Sequence, residues 1–350
     1  MQQFFMVMMM NRSKKNYYLV VAVLCLAGII GTFVYYFVGS FSDSGKTEYV
    51  YIDTNDNLDS LSAKFSPFAS GRTITTFRVL ARHTGYDEHI RTGRFAIRPG
   101  ESTVTVFRHL KNGLQEPVKL TIPESRTTDR LAASLSHKLM LDSTTTAILL
   151  RDSSYCAKQG YDTATIVCVF VPNTYEVYWN TSLDNLMKRM QKEHDNFWNA
   201  DRQAKAQAIG LTPNEVCTLA SIIDEETANN GEKPMIAGMY LNRLKTGMPL
   251  QADPTIKFAL KDFALKRIYH NMLTIDNPYN TYRNAGLPPG PIKIASVAGI
   301  DAVLNRVDHN YLYMCAKEDF SGTHNFAATY QEHLRNASKY ARALNQRGIK

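Results

Sequence analysis

The chain has 350 residues, with 40 Lys and Arg against 32 Asp and Glu, and is 44% hydrophobic and 21% charged. That apolar fraction supplies a packed core and excludes wholesale disorder, 13 Pro and 19 Gly exclude collagen-like or low-complexity architecture, and five Cys exclude a disulfide scaffold. The formal charge of +8 is not gathered into a basic stripe and no nucleic-acid-binding signature is present, so nucleic acid is not an expected partner; the length suggests about two domains.

Residues 17–38, YYLVVAVLCLAGIIGTFVYYFV, carry no charge. A helix of that length reaches across a hydrocarbon core of about 30 Å. Tyr17 and Tyr18 stand at one end and Tyr35 and Tyr36 at the other, where amphipathic rings favour the water interface. Arg12, Lys14 and Lys15 precede the span, whereas Lys46 follows it beside Asp43, Glu48 and Asp53. The positive-inside rule therefore predicts a cytoplasmic N-terminus (1–16), a single span and an extracytoplasmic remainder. A cleaved signal peptide would have an apolar region of about 7–15 residues ending in a small-residue cleavage site. This run is longer, and GSFSDSG offers no such site, so an uncleaved anchor is expected. The residues beyond it keep a formal charge of +5, which suits an anionic extracytoplasmic polymer as well as an ordinary soluble domain. Cys156 and Cys168, twelve apart, either close a loop in an oxidising compartment or stay separate thiols.

After a polar linker (39–47), YVYI, helical stretches around 57–65 and 73–83, and FAIRPG read as a strand–helix–helix–strand unit over 48–101. Its shape resembles a LysM-type glycan-binding module, and a small adaptor without sugar affinity fits the same pattern. A helix at 104–114, a strand within 116–125, a helix at 127–139, an extended region at 166–178 and an amphipathic helix at 182–200 follow. The expected fold class is α+β, with 102–350 forming a second domain whose active-site core spans about 211–330.

LTPNEVCTLASIIDEETA (211–228) has a clear helix start: Thr212 caps, Pro213 takes the first position and Glu215 completes a capping box. Val216, Leu219, Ala220 and Ile223 recur at helical spacing as one buried stripe. At about 100° per residue, Glu226 lies about 48° from the centre of the apolar set, Asp224 about 112° and Glu225 about 148°. Glu226 alone continues the apolar face; Asp224 falls on a flank and Glu225 toward solvent. A carboxyl held against apolar surface has a raised pKa, the property a general acid for glycosidic cleavage needs. A terminal-turn glutamate that reaches water, or pairs with Arg243 or Lys233, fits the same spacing.

Downstream, EKPMIAGMYLNRLKTG (232–247) reads as a helix with Asn242 near its end. QADPT (251–255) reads as a polar turn presenting Gln251 and Asp253, and NPYNTYRNAGLPPGPI (277–292) as a loop carrying Tyr279, Asn280 and Tyr282. SGTHNFAATYQEH adds His324. Aromatic faces and amides of this kind line sugar clefts, although each element alone also serves as ordinary turn or core.

LASIIDEETA (219–228), IAGMYLNRLKTGMPLQADPT (236–255), YNTY (279–282), GLPPGPI (286–292) and THNF (323–326), in this order, resemble the membrane-anchored endolytic murein transglycosylases, the MltG or YceG-like proteins; TIPES (121–125) and VPNTY (171–175) are weaker landmarks. The resemblance covers about 48–345. It implies an inner-membrane enzyme facing the periplasm, with a LysM-like subdomain, that cuts the MurNAc–GlcNAc β-1,4 bond of nascent peptidoglycan as a lyase and leaves 1,6-anhydro-MurNAc ends. It implies peptidoglycan strands as substrate, proximity to the peptidoglycan synthases of elongation or division, and no cofactor or metal. The family's acids two apart fall on Asp224 and Glu226, with Asp where Glu is common. Glu226 is the expected catalyst and Asp224 the second choice. Asp224, Asn242, Gln251, Asp253, Tyr279, Asn280, Tyr282 and His324 are the expected substrate-binding set. A glycan-binding scaffold without turnover and a two-carboxylate muramidase using Glu226 with Asp253 or Asp224 are the competing readings; the latter would leave reducing ends.

Overall fold

The structure, a computed structural model, describes residues 2–265 and 267–348. The chain divides into two compact units, Met1–Val118 with Tyr178–Asn180, and Lys119–Val177 with Thr181–Lys350. Helices and small two-stranded sheets make it an α+β protein.

In the first unit, α1 (Gln2–Phe33) runs into a π-helical turn, Val34–Val38. Asn16–Val38 is 23 residues with a mean hydropathy of 2.3, long and apolar enough to cross a membrane. Beyond it, β1 (Glu48–Ile52), α2 (Leu58–Phe65), α3 (Gly71–His83) and β2 (Gly93–Ile97) follow in the expected strand–helix–helix–strand order. The two strands pair antiparallel, with Val50 opposite Phe95. Asn57 and Ser60 form a capping box that starts α2, and Ser70 caps α3. Phe41, Phe65, Phe77 and Phe107 meet edge to face at 5.1–6.2 Å in a buried aromatic core.

That core explains why the unit does not end near residue 101. Helix α4 (Thr103–Asn112) contributes Val106, Phe107 and Leu110 to the same cluster as Phe65 and Phe77, so the chain leaves this unit only at Val118.

At the boundary β3 (Val118–Thr121) begins, and it pairs with β4 (Thr174–Val177). Between them lie α5 (Thr128–Lys138), α6 (Ser143–Leu149), α7 (Ser153–Lys158) and a short 3-10 turn, Ile166–Val169. The region 166–178, expected to be extended throughout, is thus a tight turn before a short strand. Cys156 and Cys168 are separate buried thiols.

Helices α8 (Leu183–Phe197), α9 (Ala200–Ala208), α10 (Pro213–Glu226), α11 (Lys233–Lys245), α12 (Asp253–Leu260) and α13 (Val297–Leu304) follow, then the antiparallel hairpin β5 (Tyr313–Ala316) and β6 (His324–Ala327), and finally α14 (Tyr330–Gln346). The capping box of Thr212 and Glu215 and Pro213 start α10 as expected. Every residue from Val216 to Ile223 is buried, rather than one stripe, because α10 is a central helix with α9, α11, α12 and α13 packed around it. The QADPT segment is also not simply a turn: Asp253 and Pro254 begin α12, consistent with the preference of proline for a first helical turn.

Candidate active site

The C-terminal turn of α10 presents three adjacent acids with three different fates. Asp224 is sealed in. Its Oδ1 accepts from Lys233 Nζ at 2.7 Å and from Ser296 Oγ at 2.7 Å, and its Oδ2 accepts from the Ser296 amide at 2.7 Å. The Asp224 and Lys233 side chains are 2% and 7% exposed. A Cβ added to Gly299 of α13 would stand 2.5 Å from Asp224 Oδ1, so only glycine permits this approach. Asp224, expected at the substrate, is therefore a structural anchor between α10, α11 and the start of α13.

Glu225, expected toward solvent, instead takes a two-pronged bond from Arg126, Nε to Oε1 at 3.0 Å and a second guanidinium nitrogen to Oε2 at 2.7 Å. Lys293 stands 3.7 Å from the same carboxylate. The helical wheel fails for both residues because α10 has packed neighbours on every side.

Glu226 has neither arrangement. The residue retains partial solvent access, and no cation among the described residues pairs with it. Its Oε1 accepts from Tyr240 Oη at 2.7 Å. Burial pushes its pKa up from 4.5 to about 7; the Tyr240 hydrogen bond pulls downward, the nearby Asp253 charge pushes upward, and His324 and Arg243 pull weakly downward. The two cations that sequence spacing offered as partners are engaged elsewhere. Lys233 serves Asp224, and Arg243 donates to the carbonyls of Leu312, Pro249 and Leu250. A carboxyl without a cation partner, removed from much of its water, holds its proton near neutrality.

Two separate sequence motifs converge beside this carboxyl. Thr281 ties them together: its carbonyl accepts from the Gln251 amide at 3.0 Å, and its hydroxyl accepts from the Ala252 amide at 3.0 Å and meets the Thr255 hydroxyl at 2.9 Å. This clasp puts Tyr282 Oη within 2.5 Å of Asp253 Oδ1. Burial raises the Tyr282 pKa, and Asp253 and Glu226 add to the effect through their charges. Gln251 is exposed at the left-handed φ of +50° that the clasp imposes. His324 stands at the start of β6, held by Glu232: the His324 amide donates to Oε1 at 2.6 Å, and Nδ1 lies 3.0 Å from Oε2.

Glu226, Asp253, Tyr282 and His324 are thus brought together, while other expected residues serve the frame. Asn280 is fully buried, donating to the carbonyls of Leu273 and Ile275 and accepting from the Tyr282 amide, which shapes the loop that carries Tyr282. Asn242 donates to the carbonyls of His309 and Tyr311 and secures the segment before β5. Tyr279 packs on Phe258 at 4.6 Å and lines a separate cleft. Sequence reasoning missed Tyr240 and Glu232. Tyr240 lies 14 residues beyond Glu226 on the next helix, inside an apolar run that reads as core; Glu232 lies just before that helix.

Two curated relatives are similar to this chain. The endolytic murein transglycosylase of Bacillus subtilis is 35% identical over 171 residues, covering 48% of this chain and 46% of the relative. The endolytic murein transglycosylase of Streptococcus pneumoniae is 25% identical over 329 residues, covering 85% of this chain and 59% of the relative. The chain therefore spans about half the length of the curated relatives it matches. A crystal structure of a yceG-like protein from Listeria monocytogenes superposes with a TM-score of 0.54 at 25% identity, covering 83% of this chain and 99% of that one. With residues 50–339 matched by the YceG-like family profile, the chain belongs to the YceG-like family.

Proposed function

We propose that the protein is an endolytic peptidoglycan lytic transglycosylase in which Glu226 acts first as general acid and then as general base. The observation that carries this reading is the Glu226 carboxyl, poised at a pKa of about 7 by burial and bonded to Tyr240 through one oxygen. Protonated Glu226 gives its proton to the glycosidic oxygen between MurNAc and GlcNAc. The C1–O bond breaks as positive charge builds on the MurNAc ring. The resulting carboxylate then takes the proton of the MurNAc C6 hydroxyl, whose oxygen closes onto C1 to give the 1,6-anhydro end. Acid, base, atoms and charge balance without water. Holding C6 and C1 of one sugar in register supplies the effective molarity that lets the hydroxyl outcompete solvent. A nucleophilic second carboxylate is not required, in contrast to two-carboxylate glycosidases. In this reading Asp253 helps to keep Glu226 protonated, and Tyr240 orients it.

The names of the relatives support the substrate class. The apolar helix Asn16–Val38 supports a single-pass anchor, and the charge asymmetry around it supports the reading in which the catalytic unit lies outside an inner membrane and works near peptidoglycan synthases. The β–α–α–β order of residues 48–97 supports a LysM-like module, after which the part carrying Glu226 follows in the chain.

Mass spectrometry of product ends tests the reading, using the full chain in detergent and its Glu226→Gln variant on uncrosslinked glycan strands. Anhydro-MurNAc ends from the parent chain only are expected. Reducing ends would replace the lyase by a hydrolase with Asp253 as its second carboxylate, and undiminished cleavage by Glu226→Gln would remove Glu226 from the chemistry.

A further inference from the structure

A second cleft in the second unit, with an accessible volume of about 240 Å³, contains none of the residues gathered around Glu226. Phe258, Phe263 and Tyr279 form one apolar wall, with ring centroids 4.6 Å (Phe258 to Tyr279) and 6.4 Å (Phe258 to Phe263) apart, and the Arg126 guanidinium lies 5.4 Å from the Phe263 ring. Arg126, Arg151, Lys261 and Lys293 bring four cations to the lining. Their commitments differ. Arg126 and Lys293 are tied to Glu225 and Glu124. Among the described residues Arg151 has one carboxylate partner, Asp129, and these two side chains are 51% and 61% exposed, so the pair exchanges readily for another partner. Lys261 is exposed, and no carboxylate among the described residues pairs with it.

The cleft reaches residues that neighbour the candidate active site in sequence. Arg126, Phe258 and Phe263 also line a smaller pocket with Glu225, Pro254 and Ile292. That pocket touches the residue before Glu226 on α10 and the residue after Asp253 on α12. The cleft and the candidate active site therefore draw on adjacent positions of α10 and α12.

We propose that this cleft is a subsite for the stem peptide of the strand, the short peptide carrying free carboxylates and an ammonium that hangs from the muramoyl sugars. The inference rests on the peptidoglycan reading above. The aromatic wall takes the apolar side of the stem, and Arg151 and Lys261 receive its carboxylates. Glu225 and Glu124 occupy two of the four cations and Asp129 lines the cleft, so the remaining positive charge is modest, which suits the spaced charges of a stem peptide better than a compact polyanion such as pyrophosphate. An enzyme that cuts inside a strand must hold it beyond the scissile bond, and a stem subsite does so in register with the muramoyl sugars.

The test is fluorescence polarisation with the full chain in detergent, carrying Glu226→Gln to block turnover. The probes are labelled uncrosslinked glycan fragments with stems intact or removed by an amidase. Stem-bearing fragments are expected to bind more tightly, and adding Arg151→Ala and Lys261→Ala is expected to weaken them about five-fold while leaving denuded fragments unchanged. Equal affinity for both probes, or equal weakening of both by the double substitution, would overturn the proposal. So would displacement of the stem-bearing probe by pyrophosphate but not by free stem peptide. Failure of every glycan probe to bind a folded chain would instead overturn the substrate reading itself.

Discussion

Lys233 Nζ donates to Asp224 Oδ1 at 2.7 Å, with both side chains almost completely out of water. This pair lies two residues before the candidate catalyst on α10 and gives Asp224 a structural role separate from the chemistry proposed for Glu226. Removing one partner strands the other charge in the interior. Asp224→Ala is expected to lose about 3–5 kcal/mol in denaturant unfolding, and Asp224→Ala with Lys233→Met to recover much of it. A stable Asp224→Ala variant devoid of cleavage would transfer the chemical role to Asp224.

Glu226→Gln is expected to abolish cleavage and, unlike a change at Asp224, to preserve or increase stability. The folded-state pKa of Glu226 is raised, so the stability this group contributes is whole below about pH 4.5 and is lost as pH rises through about 7, where the carboxyl must ionise in place. Glutamine escapes that loss. The variant should match the parent at pH 4 and exceed it at pH 8 by at most about 3 kcal/mol, read from unfolding curves at the two pH values.

In the proposed reaction the first proton transfer uses protonated Glu226, so kcat/KM is expected to fall as pH rises through about 7. Two substitutions should move that limb in opposite directions. Tyr240 stabilises the ionised form, so Tyr240→Phe shifts the limb to higher pH; Asp253 opposes ionisation, so Asp253→Asn shifts it to lower pH. Profiles that move together, or not at all, would separate the rate-limiting group from Glu226.

The capping box at the start of α10 acts on stability alone. Thr212→Ala removes the side-chain acceptor for the Glu215 amide and is expected to cost about 1 kcal/mol, while cleavage per folded molecule stays unchanged below the melting transition. A selective loss of kcat would show that the far end of α10 positions the acid.

Much of this organisation is local and therefore legible in sequence. An uncharged run of 22 residues specifies a helix able to cross a bilayer, because no unpaired backbone group is tolerated in hydrocarbon. Thr212, Pro213 and Glu215 specify where α10 begins, because capping joins residues three apart. Apolar spacing pointed to Glu226 as a candidate on local grounds too, from the angle it shares with the apolar residues of α10.

What the neighbours do was decided by packing. A wheel assigns angles but not partners, and it placed Asp224 on a flank and Glu225 in water when α10 is enclosed on all sides and both acids meet cations from distant segments. Asn280 reads as a sugar-binding amide, yet it satisfies buried carbonyls, since a polar loop brought inside must bond its own backbone. The union of Asp253 with Tyr282 through Thr281, the reach of Tyr240 from α11, and the removal of Tyr279 to a second cleft join residues 14 to 29 positions apart or separate near neighbours. The sequence by itself determined the long apolar helix, the start of α10 and the candidate acid; only the tertiary structure decided which groups set that acid's proton affinity, because desolvation and charge act through space rather than along the chain.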